Sequence, residues 1–275
     1  MIDRHSVSDT WERGDPYEQY VGRWSRRVAP LFLSWLRVPT GLRWLDIGCG
    51  TGALCKAIVG NCSPSSVIGI EPSEGFLKTA INNLAGSVVF HQGNAAEIPL
   101  DNSSVDVAVS GLVLNFIPDP QAALAEMVRV TARAGTIGAY VWDYAAKMEL
   151  MRFFWDAAVE LDPDAAKLDE GRRFPLCSPE GLADLFTGAG LQMVEVTAID
   201  IQTPFPSCED HWRPFLGGQG PCPAYAISLD EVSRARLRDR IRDRLPVHAD
   251  GSITLTARAW AVRGTVAKET MLDPR

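Results

Sequence analysis

Two stretches gather the residue types that chemistry needs. The string Leu45-Asp46-Ile47-Gly48-Cys49-Gly50-Thr51-Gly52 sets an acid two residues ahead of a glycine cluster, and Glu71-Pro72 follows further along. Glycines let the backbone approach a ligand closely, and an acid at the end of a strand can face a cationic group. Gly48-x-Gly50-x-x-Ala53 also satisfies a loose dinucleotide fingerprint, so a nicotinamide site is a rival reading. Such a site has no need of Asp46 or the third glycine, Gly52, and the chain has no Tyr-x-x-x-Lys pair. His91, Asp143 and Tyr144 fall near strand ends and could deprotonate an acceptor. Each reads more simply as a surface or core polar residue, and no catalytic residue is assigned. The six cysteines form no Cys-x-x-Cys pair and match no histidine spacing, so no metal site is expected and reduced thiols are the plain reading.

These residues need a frame. Val28, Leu31, Phe32, Trp35 and Leu36 lie at helical spacing within 26–37, and Pro39 and Gly41 end that helix. A strand over 42–47 runs into the glycine cluster, which opens a helix with Leu54, Ala57 and Ile58 on one face. A strand at 66–70 stops at Glu71-Pro72, and Ser73 caps the helix carrying Phe76, Leu77, Ala80, Ile81 and Leu84. Strands at 88–90 and 105–110 follow, and Asp119-Pro120 begins a helix closed at Gly135, before a fifth strand at 137–142. Strands alternating with helices, several as continuous apolar runs, predict an α/β doubly wound fold with a parallel sheet covered on both faces. Beyond 143 the sequence predicts a helix over 148–161, an irregular segment and a helix from Ser178-Pro179. A strand-like run at 193–201, a Pro/Gly/Cys-rich loop over 204–223, an arginine-rich helix over 229–245 and a last strand-like run at 253–266 complete it. The last two strands are expected at the sheet edge, with the helices between as an insertion.

Composition narrows the function classes. The chain has 275 residues, 46% hydrophobic and 22% charged, which suits one globular domain carrying an elaboration. Lys plus Arg total 27 against 34 for Asp plus Glu, a net charge of −7, which disfavours nucleic acid and anionic membranes and leaves a small molecule as the default partner. No apolar run reaches membrane-spanning length. The polar start of the chain lacks a secretory pattern, so a cytoplasmic location is expected. Arg234, Arg236, Arg238, Arg240, Arg242 and Arg244 are interleaved with Asp239 and Asp243 over a Leu237, Ile241, Leu245 stripe, the pattern of a salt-laced surface helix. Met148, Leu150, Met151, Phe153, Phe154 and Trp155 cover more than one helix face, so Phe154 and Trp155, joined by Trp212 and Phe215, are candidates for a substrate pocket.

Over residues 15–143 the ordered set of motifs resembles class I S-adenosylmethionine-dependent methyltransferases, in the small-molecule group called type 11. The resemblance implies a Rossmann-like, mostly parallel seven-stranded sheet with a helical cap: an N-terminal lid and helix over 1–41, a cofactor-binding core over 42–143, and the remaining strands and cap over 144–275, one domain in all. It implies that Asp46, Gly48, Cys49 and Gly50 lie under the methionine and adenosine of the cofactor. Glu71, followed by Pro72, would take both ribose hydroxyls. Asn94-Ala95 stands where the family carries an Asp-Ala pair against adenine, and an amide can still accept from the adenine amino group. Ser110 and Leu112 fall beside the cofactor methionine. The expected activity is in-line methyl transfer from S-adenosyl-L-methionine to a small acceptor, leaving S-adenosyl-L-homocysteine. The alternatives are a nicotinamide-dependent oxidoreductase and a non-catalytic S-adenosylmethionine-binding partner protein. Tyr17, Tyr20, Arg23 and Trp24, in a stretch too aromatic for a solvated tail, are expected to form a lid in which Arg23 meets a carboxylate.

Overall fold

The computed structural model describes residues 18–217 and 220–268; Tyr17 lies outside them. Seven strands form one sheet: β1 (Arg43–Ile47), β2 (Ser66–Glu71), β3 (Val89–Gln92), β4 (Val105–Gly111), β5 (Thr131–Trp142), β6 (Gln192–Phe205) and β7 (Ile253–Thr265). Their order is β3-β2-β1-β4-β5-β7-β6. The first five are parallel. β7 runs against β5, since the Ala134 amide donates to the Val266 carbonyl and the Asp143 amide to the Arg258 carbonyl. The winding direction reverses between β1 and β4, and in such sheets ligands bind beyond the carboxyl ends of the strands at that switch point. This is the α/β Rossmann-like, mostly parallel sheet expected from the sequence.

The helices are α1 (Arg23–Leu36), α2 (Ala53–Asn61), α3 (Glu74–Leu84), α4 (Pro120–Val130), α5 (Glu149–Leu161), α6 (Glu170–Arg173), α7 (Pro179–Gly188), α8 (Cys208–Trp212), α9 (Pro221–Ser228) and α10 (Glu231–Arg244). Their starts follow local chemistry. Ser73, Asp119, Ser178 and Asp230 each accept a hydrogen bond from an amide three residues on, satisfying a donor the first turn leaves free. Among the described residues no helix is long and apolar enough to cross a membrane.

Several boundaries differ from expectation. α1 begins at Arg23, directly after a π-helical turn over Glu18–Gly22, and Leu33 rather than Leu31 is buried. Leu31 is exposed, while Trp35 lies under the Arg263 guanidinium, 4.9 Å from its ring centre. β5 begins at Thr131, straight after α4; Gly135 is inside the strand, where a bulge against β4 between Val105 and Val107 breaks the expected pattern. β6 continues to Phe205, because Ile199, Ile201, Thr203 and Phe205 keep alternate side chains buried. The 204–223 segment is no plain loop: it holds α8, a 3₁₀ turn over Arg213–Leu216 and the start of α9, each too short to carry a period.

The described chain divides into two compact units. One comprises residues 29–141, 178–197 and 260–268 and holds the glycine loop. The other comprises 18–28, 142–177 and 198–259 and holds an aromatic core.

Candidate functional site

In the glycine-loop unit, the loop after β1 is clamped to β2. The amides of Gly48 and Cys49 both donate to the Ile70 carbonyl, at 2.8 and 3.0 Å, and the Gly52 amide donates back to the Cys49 carbonyl. Gly48 has φ +68°, and a Cβ there would run into the Val113 side chain. Gly50 has φ +54°, yet a Cβ there would meet nothing within 4 Å. The first glycine is fixed by protein packing; the second faces open space, as a loop that admits a ligand requires.

Two carboxylates flank this opening. Glu71, at the end of β2, is buried; Oε2 accepts from the Gly50 amide at 3.0 Å and Oε1 from the Ser73 amide at 2.9 Å. Burial raises its pKa, and those two backbone donors oppose the shift. Each oxygen keeps a further lone pair for a ligand hydroxyl. Asp46 is 1% exposed; the Cys55 thiol donates to Oδ2 at 3.1 Å, while Oδ1 has no partner. Burial pushes its pKa up to about 7, and the nearby charge of Glu71 adds to that rise. The buried, unpartnered oxygen of Asp46 fits the ammonium or sulfonium of S-adenosylmethionine.

The remaining expected cofactor residues lie in the same unit. The Ser110 hydroxyl donates to the Ile47 carbonyl at 3.0 Å, tying the ends of β1 and β4 together. Leu112 follows with φ +62°, its amide held by the Tyr140 carbonyl at 2.7 Å. Asn94 is exposed, and its Oδ1 accepts from the Ala96 amide, which makes a turn that sets the place of Ala95. Pro72 is exposed, and its carbonyl accepts from Gln92. His91 is half-buried on β3.

In the aromatic unit the other expected residues are interior. Phe154 stacks on Phe215 at 4.7 Å and meets Trp155 edge-on at 5.2 Å; Trp212 lies 5.8 Å from Phe215. Tyr20 packs edge-on against Phe215, and Trp24 against Phe205. All seven of these rings are buried. Asp143 caps a turn at the Ala146 amide, and Tyr144 is buried against Phe174.

Three polar groups carry no signal in the sequence. Cys55 reaches Asp46 from the third residue of α2. Glu170 is buried with Trp155 Nε1 donating to it, and burial pushes its pKa up to about 7. His211 is fully buried with neither ring nitrogen hydrogen-bonded; burial and then the charge of Arg23 push its pKa down to about 4.

A family model described as a methyltransferase domain matches residues 45–138. The demethylmenaquinone methyltransferase of Lactobacillus johnsonii is 29% identical over 143 residues, 50% of this chain and 58% of that protein. The uncharacterized methyltransferase Rv3342 of Mycobacterium tuberculosis is 32% identical over 138 residues, 50% of this chain and 51% of that protein. The chain thus spans little more than half the length of these curated relatives. Among solved structures, the phosphoethanolamine N-methyltransferase 2 of Haemonchus contortus in complex with S-adenosyl-L-methionine is 15% identical. It has a TM-score of 0.57 and covers 96% of this chain and 61% of that one, a likeness of fold.

Proposed function

We propose that this chain, which carries a class I S-adenosylmethionine-dependent methyltransferase domain of the type 11 group, methylates a small-molecule acceptor. The observation that carries the reading is the opening at Gly50, flanked by Glu71 and by the bare oxygen of Asp46. S-adenosylmethionine, when bound, supplies a methyl group already activated on a sulfonium, so few catalytic side chains are needed. In this reading Glu71 takes the ribose hydroxyls and ties them to the glycine loop through the Gly50 amide. Asp46 balances the cationic end, and Asn94 and Ala95 bound the adenine side. Ser110 and Leu112 hold the end of β4 in the register that lets an acceptor line up with the methyl group. In the same reading Tyr20, Arg23 and Trp24 are the lid candidates, and Phe154, Trp155, Trp212 and Phe215 the candidates for a substrate pocket. A cytoplasmic setting accompanies it, supported by six free cysteines.

Incubation with methyl-labelled S-adenosylmethionine and a panel of small acceptors tests it. Formation of S-adenosylhomocysteine with labelled product is expected. Binding without transfer to any acceptor would point instead to a partner protein that only holds the cofactor.

A further inference from the structure

One corner of the aromatic unit buries donors with nothing to donate to. Arg23, the first residue of α1, gives Nη1 to Asp210 Oδ2 at 3.4 Å, but its Nε and Nη2 are buried without a partner. Those two nitrogens form the side edge of the guanidinium, the parallel pair of N–H groups that meets a carboxylate in bidentate fashion. The Arg23 Cζ lies 4.4 Å from the Trp24 ring centre and 4.9 Å from that of Phe205, so two aromatic faces hold the edge in place. His211 on α8 sits 5.1 Å from the same Phe205 ring, and both its nitrogens are bare. Trp24 Nε1 and the Thr203 hydroxyl are buried and unpartnered as well. Thr203 shares the buried face of β6 with Phe205.

A buried guanidinium edge, an indole N–H, a hydroxyl and an imidazole without acceptors carry a desolvation cost that an oxyanion would remove. We propose that Arg23, Trp24, Thr203 and His211 form a binding site, within the aromatic unit, for the carboxylate of a small organic acid. The charge balance selects the ligand: one cation, already partly met by Asp210, suits a monoanion better than a phosphate dianion. At neutral pH the imidazole is uncharged and adds one N–H without adding charge. His211 and Trp212 also line a cavity of about 400 Å³ whose other walls include Glu209, Arg238 and Arg242.

The test titrates phenylacetate and its amide, phenylacetamide, into the full chain, with and without saturating S-adenosylhomocysteine. The acid is expected to bind at least about tenfold more tightly than the amide, with the S-adenosyl ligand still in place. Arg23→Lys keeps the charge but loses the fork, and is expected to weaken the acid at least about tenfold with the melting temperature unchanged. Equal binding of acid and amide, or no acid binding at millimolar concentration, would overturn the proposal. So would displacement of S-adenosylhomocysteine by the acid, because the site would then serve the cofactor's own carboxylate. Should Arg23→Lys fail to fold, the comparison of acid with amide on the unaltered chain decides alone. Absence of S-adenosylhomocysteine binding would count against the methyltransferase reading, while the titration without it still reads the acid site.

Discussion

Gly48 and Gly50 share a positive φ, yet only one of them is walled in by the protein. Gly48→Ala drives its Cβ into Val113 and is expected to destabilise the fold by about 2–3 kcal/mol, measured by thermal unfolding. Gly50→Ala meets no neighbour and costs only its backbone strain, about 1 kcal/mol, so the chain should fold while losing S-adenosylhomocysteine affinity. Asp46 gives a pH signature. Its folded pKa of about 7 lies above the ordinary carboxylate value, so between the two the folded chain holds a proton that the unfolded chain has released. Stability therefore falls as pH rises through that window, and the loss is complete above about 7. Asp46→Asn should match the parent at pH 4 and exceed its melting temperature above pH 7, by roughly 2–4 °C for each kcal/mol recovered. Asp46 stood out in the sequence as an acid two residues ahead of a glycine turn, and Glu71 through the family resemblance. Cys55, Glu170 and His211 did not stand out, since their environments are made by segments far apart along the chain.

At the scale of elements, the sequence told most where a cap or a long period marks the backbone. Ser73, Asp119 and Ser178 announced their helices, and the Leu237, Ile241, Leu245 stripe of α10 is buried as read, with Arg240 and Arg244 both paired to Glu160. The expectation weakened over 204–223, where α8 and the following 3₁₀ turn are only five and four residues long. Those turns carry His211, Trp212 and Phe215 into the aromatic core, which no local pattern could foretell. Phe154 on α5 stacks on Phe215 and is fully buried. Phe154→Ala should therefore cost about 3–5 kcal/mol of stability, read by chemical denaturation. In the cold, where the variant stays folded, its affinity for S-adenosylhomocysteine should equal the parent's, because every expected cofactor residue lies in the other unit.

At the scale of the whole molecule, the residues expected to hold the cofactor all fall in the glycine-loop unit, and the described residues expected in the lid and in the substrate pocket all fall in the aromatic unit. The parallel strands of the first unit were legible because each apolar run ends in a glycine, proline or capping signal. The second unit was less so, since its core is assembled from short helices and from the ends of β5, β6 and β7. A ligand that binds the folded chain alone should raise its melting temperature, by about 2.7 kcal/mol of stability at a hundredfold excess over Kd. The most direct measurement is calorimetric titration of S-adenosylhomocysteine and of NAD into the parent and Glu71→Ala, with circular dichroism as the folding control. Saturable one-to-one binding of S-adenosylhomocysteine, weakened at least about tenfold in the folded variant, and no NAD binding, is the expected result. Saturable NAD binding with no response to the S-adenosyl ligand would contradict it.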